Sequence, residues 1–339
     1  MSARGHVYHP EPGELQLTPR ALRAVLLAAA LAAPGCSSCS HAPAAQTAVE
    51  EAGATEEVPA APRAVTVDQA CSEFSAAVCG RMRACTPFLL QAVYGDTKTC
   101  AARSSLQCKP MLAAAGSQAL APQIEFCAKA ISSEGCDEAL DNPQPSACDI
   151  GGALAEGAPC AAGQQCQTAY CKTAAGSVCG TCVKRVGSRY ACLGDSDCVA
   201  GLVCDRGACA APGAPDAPCG GALPTCSRAL TCISGICKKP SPVGARCASP
   251  TDCDGNQGLY CNILTRQCTQ TRVTGAAQAC GIVGNTLVGC SAGAACFRGR
   301  CTPPAADGAS CDPLNGPACL APAQCMNGKC VVPDPASCR

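Results

Sequence analysis

Apolar positions follow two rhythms along this chain. Between residues 66 and 150, Cys71, Phe74, Val78, Met82 and Cys85 recur at three- and four-residue steps, one stripe of a helix. Ahead of the stripe, Thr66-Val67-Asp68-Gln69 has the spacing of a capping box, the Thr accepting from the backbone and the Gln reaching back. Pro87 stops this helix. A second short helix is predicted over Phe88–Tyr94, halting at Gly95, and a third over about Thr99–Cys108, ahead of Pro110. A fourth starts at Pro122, carries Ile124, Cys127 and Ile131 on one face, and ends near Gly135. Phe74, Phe88, Phe126 and Tyr94 all fall here, so a conventional apolar core is expected in this segment.

From Gly157 to Cys330 a four-cysteine pattern recurs six times instead. The copies are Cys192, Cys198, Cys204 and Cys209; Cys219, Cys226, Cys232 and Cys237; Cys247, Cys253, Cys261 and Cys268; Cys280, Cys290, Cys296 and Cys301; Cys311, Cys319, Cys325 and Cys330. The first copy, Cys160, Cys166 and Cys171, carries two late cysteines, Cys179 and Cys182. First cysteines stand 32, 27, 28, 33 and 31 residues apart, which marks a structural repeat. Arg206-Gly207, Ser234-Gly235, Arg298-Gly299 and Asn327-Gly328 each put Gly second in a two-residue turn, so each repeat is predicted to end in a small β-hairpin. Hairpin ends that meet in space favour first-to-third and second-to-fourth pairing, each bond closing a loop of about a dozen residues and contributing about 3 kcal/mol. Pro-rich joints such as 211–215, 239–242 and 303–304 separate the units and predict a semi-rigid string of beads.

The helical segment holds eight cysteines of its own: Cys71, Cys79, Cys85, Cys100, Cys108, Cys127, Cys136 and Cys148. Eight residues of helix rise about 12 Å, whereas bridged Cα atoms lie within about 7 Å. Cys71–Cys79 and Cys100–Cys108 therefore cannot close on themselves, and these cysteines are expected to staple helix to helix in one of 105 pairings. Cys338 is left over, for Cys179, Cys182 or a helical-domain cysteine. The expected fold class is small and disulfide-rich: a cysteine-stapled α-helical domain over 66–150, then tandem four-cysteine β-hairpin repeats over 151–339.

Composition agrees. Nine aromatic residues in 339 cannot fill a large single core, and 36 cysteines imply an oxidising compartment. Twenty-five basic and 25 acidic residues leave no net charge and no footprint for nucleic acid. Arg outnumbers Lys 17 to 8 and Ala, Gly and Pro abound, pointing to a GC-rich bacterial genome.

Residues 1–35 form a leader. Arg20 and Arg23 precede the apolar run 24–33, too short to span a bilayer and followed by small residues, the layout of a signal peptide. Ala33-Pro34-Gly35-Cys36 resembles a bacterial lipobox, which would make Cys36 the acylated first residue of the mature chain; Ala33 stands where a larger residue is usual. A plainly cleaved signal is the alternative. Residues 36–65, rich in Ala, Pro and Glu, read as a flexible tether that spans about 25–30 Å as a coil. Export to the outer membrane or cell surface follows, with secretion or a periplasmic location as alternatives.

No catalysis is expected. His6, His9 and His41 all precede the helical domain, leaving no imidazole there for acid–base work. Cys179-Gly180-Thr181-Cys182 has the spacing of a redox or zinc pair, yet it has no partner knuckle and reads as structural. Asp195-Ser196-Asp197 and Asp252-Cys253-Asp254-Gly255-Asn256 alternate carboxylates as calcium loops do, but turn residues beside cysteines explain them equally well. No cofactor is expected.

The repeat unit, seen best in residues 197–204 and 258–261, resembles the Dickkopf N-terminal cysteine-rich domain and the related EB modules. It also looks like bacterial lipoproteins that join a helical cysteine-rich segment to such repeats. The resemblance covers residues 157–330 and implies an interaction role; tandem repeats and the bacterial leader separate this chain from the Dickkopf ligands. The expected function is binding of an envelope or extracellular protein or glycan by a lipid-anchored protein. A passive spacer and a secreted protease inhibitor are the alternatives.

Overall fold

The computed structural model describes residues 65–142, 145–174 and 177–338. The leader, Cys36 and the tether up to residue 64 lie outside the described residues. Helix α1 (Val67–Cys85) opens where Thr66 Oγ1 accepts from the Gln69 N–H at 3.2 Å. Only half of the expected capping box forms. The Gln69 amide donates instead to Glu73 Oε1 at 3.0 Å, a favourable pairing one helical turn on.

Pro87 opens α2 (Pro87–Val93), where its missing N–H is not needed, and Gly95 at φ +83° reverses the chain behind it. Helix α3 (Thr97–Ala113) outruns its predicted range at both ends. Asp96, unnoticed as a cap, accepts from the Thr99 N–H at 2.7 Å and starts the helix two residues early. Pro110 does not stop α3. Leu106, whose carbonyl loses its helical partner there, is 41 % exposed, and Cys108 ties the last turns to α1. Helix α4 (Ala121–Ser133) matches its expected stripe, and the short α5 (Cys136–Asp141) has too few turns to show one.

Disulfides Cys71–Cys108 and Cys79–Cys100 lace α1 to α3 as antiparallel neighbours, eight residues apart on each helix. Cys85–Cys136 joins α1 to α5, and Cys127–Cys148 joins α4 to a 3-10 turn over Ser146–Cys148. The expected helix-to-helix stapling is thus what the chain has. Between the helices, Ala70, Ile124 and Ile150 pack around one end of α1 and Met82, Leu90, Val93 and Tyr94 around the other. Two phenylalanines depart from expectation. Phe126 is 64 % exposed, one step off the buried face set by Ile124, Cys127 and Ile131. Phe88 leaves the helical core and lies against Gly258 in the fourth repeat, where a side chain on that residue would overlap the ring.

Beyond the helices come small antiparallel hairpins. In the first repeat β1 (Pro159–Cys160), β2 (Cys171–Thr173) and β3 (Gly180–Cys182) form one sheet in the order β1-β3-β2. The second and third repeats end in β4–β5 (Val203–Asp205, Ala208–Ala210) and β6–β7 (Thr231–Ile233, Ile236–Lys238). The fourth holds β8–β9 (Leu259–Asn262, Gln267–Gln270). The fifth has a three-stranded sheet of β10 (Arg272–Thr274), β11 (Gly281–Val283) and β12 (Thr286–Cys290), then β13–β14 (Ala295–Phe297, Arg300–Thr302). The sixth ends in β15–β16 (Gln324–Met326, Lys329–Val331). Arg206, Ser234, Arg298 and Asn327 all take φ near +50°, followed by Gly at φ +73° to +84°, the two left-handed residues that a tight hairpin needs. Repeats two to six pair first to third and second to fourth cysteine throughout, as expected. In the first repeat Cys160–Cys171 and Cys166–Cys182 take those roles, and Cys179 bonds Cys338 across 159 residues.

The string of beads does not form. The Pro-rich joints are not free spacers: Val186, Gly213, Ser241 and Ala305 each bridge in parallel to the second cysteine of the following repeat. The arc of repeats also returns to the helical domain. Arg103 on α3 donates to the carbonyls of Leu320 and Ala321 at 2.7 and 2.9 Å and grips Asp307 with both terminal nitrogens at 2.6 and 2.9 Å. The N–H groups of Ala292 and Gly293 donate to the Gln91 and Ala92 carbonyls at the end of α2 at 3.0 and 2.8 Å, the Gln91 carbonyl also accepting from Gly95 at 3.1 Å. Leu320 packs into the cluster around Tyr94, and the Cys179–Cys338 bond closes the circuit. Joint composition signals a turn but says nothing of where the chain goes next.

Candidate binding groove

An apolar crevice of about 30 Å³ between α1, α3 and α4 has room for a single water. A groove of about 470 Å³ lies along the first and second repeats, lined by Glu156, Gln167, Thr168, Lys184, Arg185, Val199 and Ala200. Four disulfides, Cys160–Cys171, Cys166–Cys182, Cys192–Cys204 and Cys198–Cys209, stiffen its two halves.

Arg185, one of its lining residues, adjoins a charged cluster outside the lining. Tyr170 donates to Asp197 Oδ1 at 2.9 Å, Lys172 Nζ stands 3.0 Å from the same oxygen, and the Leu193 N–H donates to Oδ2 at 2.8 Å. Burial opposes the Asp197 charge, but these donors outweigh it and hold the carboxyl below its ordinary pKa. Burial pushes the Tyr170 hydroxyl up to about 12, so it stays a donor. Arg185 lies over the Tyr170 ring at 4.6 Å and donates through Nε to the Ser196 carbonyl at 3.0 Å, joining the two repeats. The rim of the groove is soft. Lys184 and Glu156 face each other at 3.2 Å with side chains 75 % and 53 % exposed, a pair worth at most about 1 kcal/mol and readily exchanged for a ligand.

Asp149, behind Arg185, carries an unusual cost. Both carboxylate oxygens are buried without a hydrogen-bond partner among the described residues. Burial raises its pKa to about 7, with Arg185 pulling the other way. The folded chain therefore holds a proton that the unfolded chain releases near pH 4, and stability falls as pH rises from about 4 to 7. Asp149→Asn is expected to remove this slope. Since Asp149 is only partly buried, the discounted gain at pH 8 is about 1–2 kcal/mol, with none below pH 4. Thermal melts of both proteins at pH 4 and 8 would show it; equal melting temperatures at pH 8 would refute it.

The sequence candidates for metal are otherwise engaged. Asp195 Oδ1 accepts from the Cys204 N–H at 2.6 Å and Oδ2 from Arg228 at 2.8 Å. Asp252 accepts from Ala248 and Ser249 N–H groups at 2.7 and 3.0 Å, and Asp254 from Asn256 at 3.0 Å. Gln165, Asp197 and Asp252 each precede the second cysteine of a repeat, are buried, and tie down the backbone after the first. The turn reading of these carboxylates is the one their contacts fit. The sulfur clusters in the repeats, Cys192, Cys198 and Cys209 among them, are neighbouring disulfides rather than free thiolates. Cys179 and Cys182 belong to two different bonds, so their spacing makes no redox pair between them. None of the groove residues was singled out by sequence. Lys184, Gln167 and Thr168 carry no motif and are brought together only by the joint between two repeats.

Comparison with protein-family models, curated proteins and solved structures finds no match to this chain. Among the described residues no helix is long and apolar enough to cross a membrane. The seventeen disulfides among the described residues are the mark of an exported protein.

Proposed function

We propose that this chain is an exported, lipid-anchored binding protein of the bacterial envelope, whose groove between the first and second repeats takes a polar segment of a protein or glycan. The observation that carries this reading is the groove itself. Carboxylate, amide, hydroxyl and ammonium groups line it, and the disulfides of both repeats and the Arg185–Tyr170 stack stiffen the backbone that carries them. Such a lining holds its shape without a ligand, which lowers the ordering cost of binding. The lipobox-like Cys36 supports the anchor, and the resemblance to Dickkopf-type repeats supports an interaction role. A spacer loses ground, because repeats that return to the helical domain add little length.

The test uses the full-length chain carrying Cys36→Ser, which cannot be acylated there, and isolated envelope fragments, untreated or digested with protease. Lys184→Ala combined with Gln167→Ala is expected to lower retention at least tenfold. Digestion that abolishes retention assigns a protein partner, and retention that survives it assigns a glycan. Equal retention of parent and variant would overturn the groove. Intact-mass spectrometry of the native protein tests the anchor: an amino end at Cys36 carrying acyl mass is expected, and an unmodified end would refute it.

A further inference from the structure

Two neighbouring hairpin tips, in the fourth and fifth repeats, expose large aliphatic side chains to water. Ile263 and Leu264, at the turn of β8–β9, are 79 % and 68 % exposed; Ile282 and Val283, at the end of β11, are 82 % and 37 % exposed. These are not fraying loops. Asn262 Oδ1 accepts from the Leu264 and Thr265 N–H groups at 2.9 and 3.3 Å, and Arg266 N–H donates back to the Asn262 carbonyl at 2.8 Å. Tyr260 and Asn262 then clamp one tip to the other. The Tyr260 hydroxyl accepts from the Leu287 N–H at 3.1 Å, and Asn262 Nδ2 donates to the Asn285 carbonyl at 3.3 Å. The two tips thereby hold these four exposed aliphatic residues on rigid backbone, with nothing among the described residues to cover them.

Charge distinguishes this end from the rest of a neutral protein. Residues 240–302 hold five arginines against two aspartates, Asp252 and Asp254, and Asp252 is buried. Arg266 sits on the first tip, Arg246 bridges Gln267 beside it, and Arg272 lies opposite Val288 in the sheet that bears the second. None of these three makes an ion pair among the described residues. Protruding aliphatic tips flanked by unpaired arginines suit a surface that is apolar below and anionic above. We infer that the paired tips of the fourth and fifth repeats dock on an anionic lipid bilayer. Membrane proximity rests on the proposed Cys36 anchor.

The test removes the anchor so that the two readings fail separately. Full-length chain carrying Cys36→Ser, which cannot be acylated there, is sedimented with vesicles of phosphatidylcholine alone or with 30–40 % phosphatidylglycerol, about the charge of an anionic leaflet. Binding to the anionic vesicles, weakened by salt, is expected. Ile263→Ser with Leu264→Ser and Ile282→Ser is expected to lower it at least tenfold, and Arg246→Gln with Arg266→Gln at least threefold, while the groove variant Lys184→Ala with Gln167→Ala leaves vesicle binding unchanged. Absence of binding to anionic vesicles, or binding undiminished in the aliphatic variant, would overturn the inference and leave the tips to a protein partner. Acylation at Cys36 is read separately by mass, so loss of that anchor would not mimic either outcome.

Discussion

Replacing both Cys179 and Cys338 with serine is expected to lower the melting temperature by about 5–15 °C. The bond spans 159 residues, and chain entropy alone would assign a loop of that length about 5 kcal/mol. The ten disulfides of repeats two to six already shorten the free path, so about 2–4 kcal/mol is the realistic share, at roughly 2–4 °C per kcal/mol for a chain of this size. The effect should also be local. The 3-10 turn at Pro335–Ser337 rests near α3 and continues to Cys338, so cutting the bond frees the carboxyl end first. Calorimetry under non-reducing conditions, with limited proteolysis of the same samples, would read both. An unchanged melting temperature would mean that Arg103 and Leu320 alone hold the last repeat against the helices.

The local scale of this fold was legible in the residues, and the long-range scale was not. The eight-residue interval between Cys71 and Cys79 recurs between Cys100 and Cys108 because two antiparallel helices meet twice at that spacing. Hairpins were readable because only a residue pair tolerant of positive φ, such as Asn327-Gly328, closes so short a turn. Arg103, by contrast, looks like any surface arginine until Asp307 and the Leu320 and Ala321 carbonyls arrive from more than 200 residues away. Cys179 and Cys338 could not be paired from spacing, since either could have met other sulfurs. The groove fails to show for the same reason. Its residues are ordinary surface types, and their meaning comes from the bridge of Val186 to Cys198 that sets one repeat beside the next. Asp197 and Asp252 mislead in the other direction: alternating carboxylates look like ligands, and only their backbone partners show them holding turns.

The largest loss from a single substitution is expected at Gly152, where the helical domain hands over to the first repeat. Gly152 is buried, its N–H donates to the Cys166 carbonyl at 2.8 Å, and a Cβ there would overlap the backbone carbonyls of Gln164 and Gln165. That backbone cannot retreat cheaply. Gln165 donates to the Ala115 carbonyl at 2.8 Å, its own carbonyl accepts from Leu154 at 2.7 Å, and Cys166 is bonded to Cys182. Gly152→Ala must therefore break part of this network or push the 3-10 turn at Gly163–Gln165 aside, at a cost of about 3–4 kcal/mol, or roughly 6–15 °C. Gly151→Ala supplies the control, since its Cβ would stand 3.4 Å from the Gln167 carbonyl, close to ordinary contact, and should cost under about 1 kcal/mol. Because Gln167 and Thr168 follow directly on the displaced segment, the Gly152 variant should also lose envelope binding at temperatures where it remains folded, whereas the Gly151 variant keeps it. Matching melting temperatures for the two variants would mean that the handover between domains is looser than its hydrogen bonds imply.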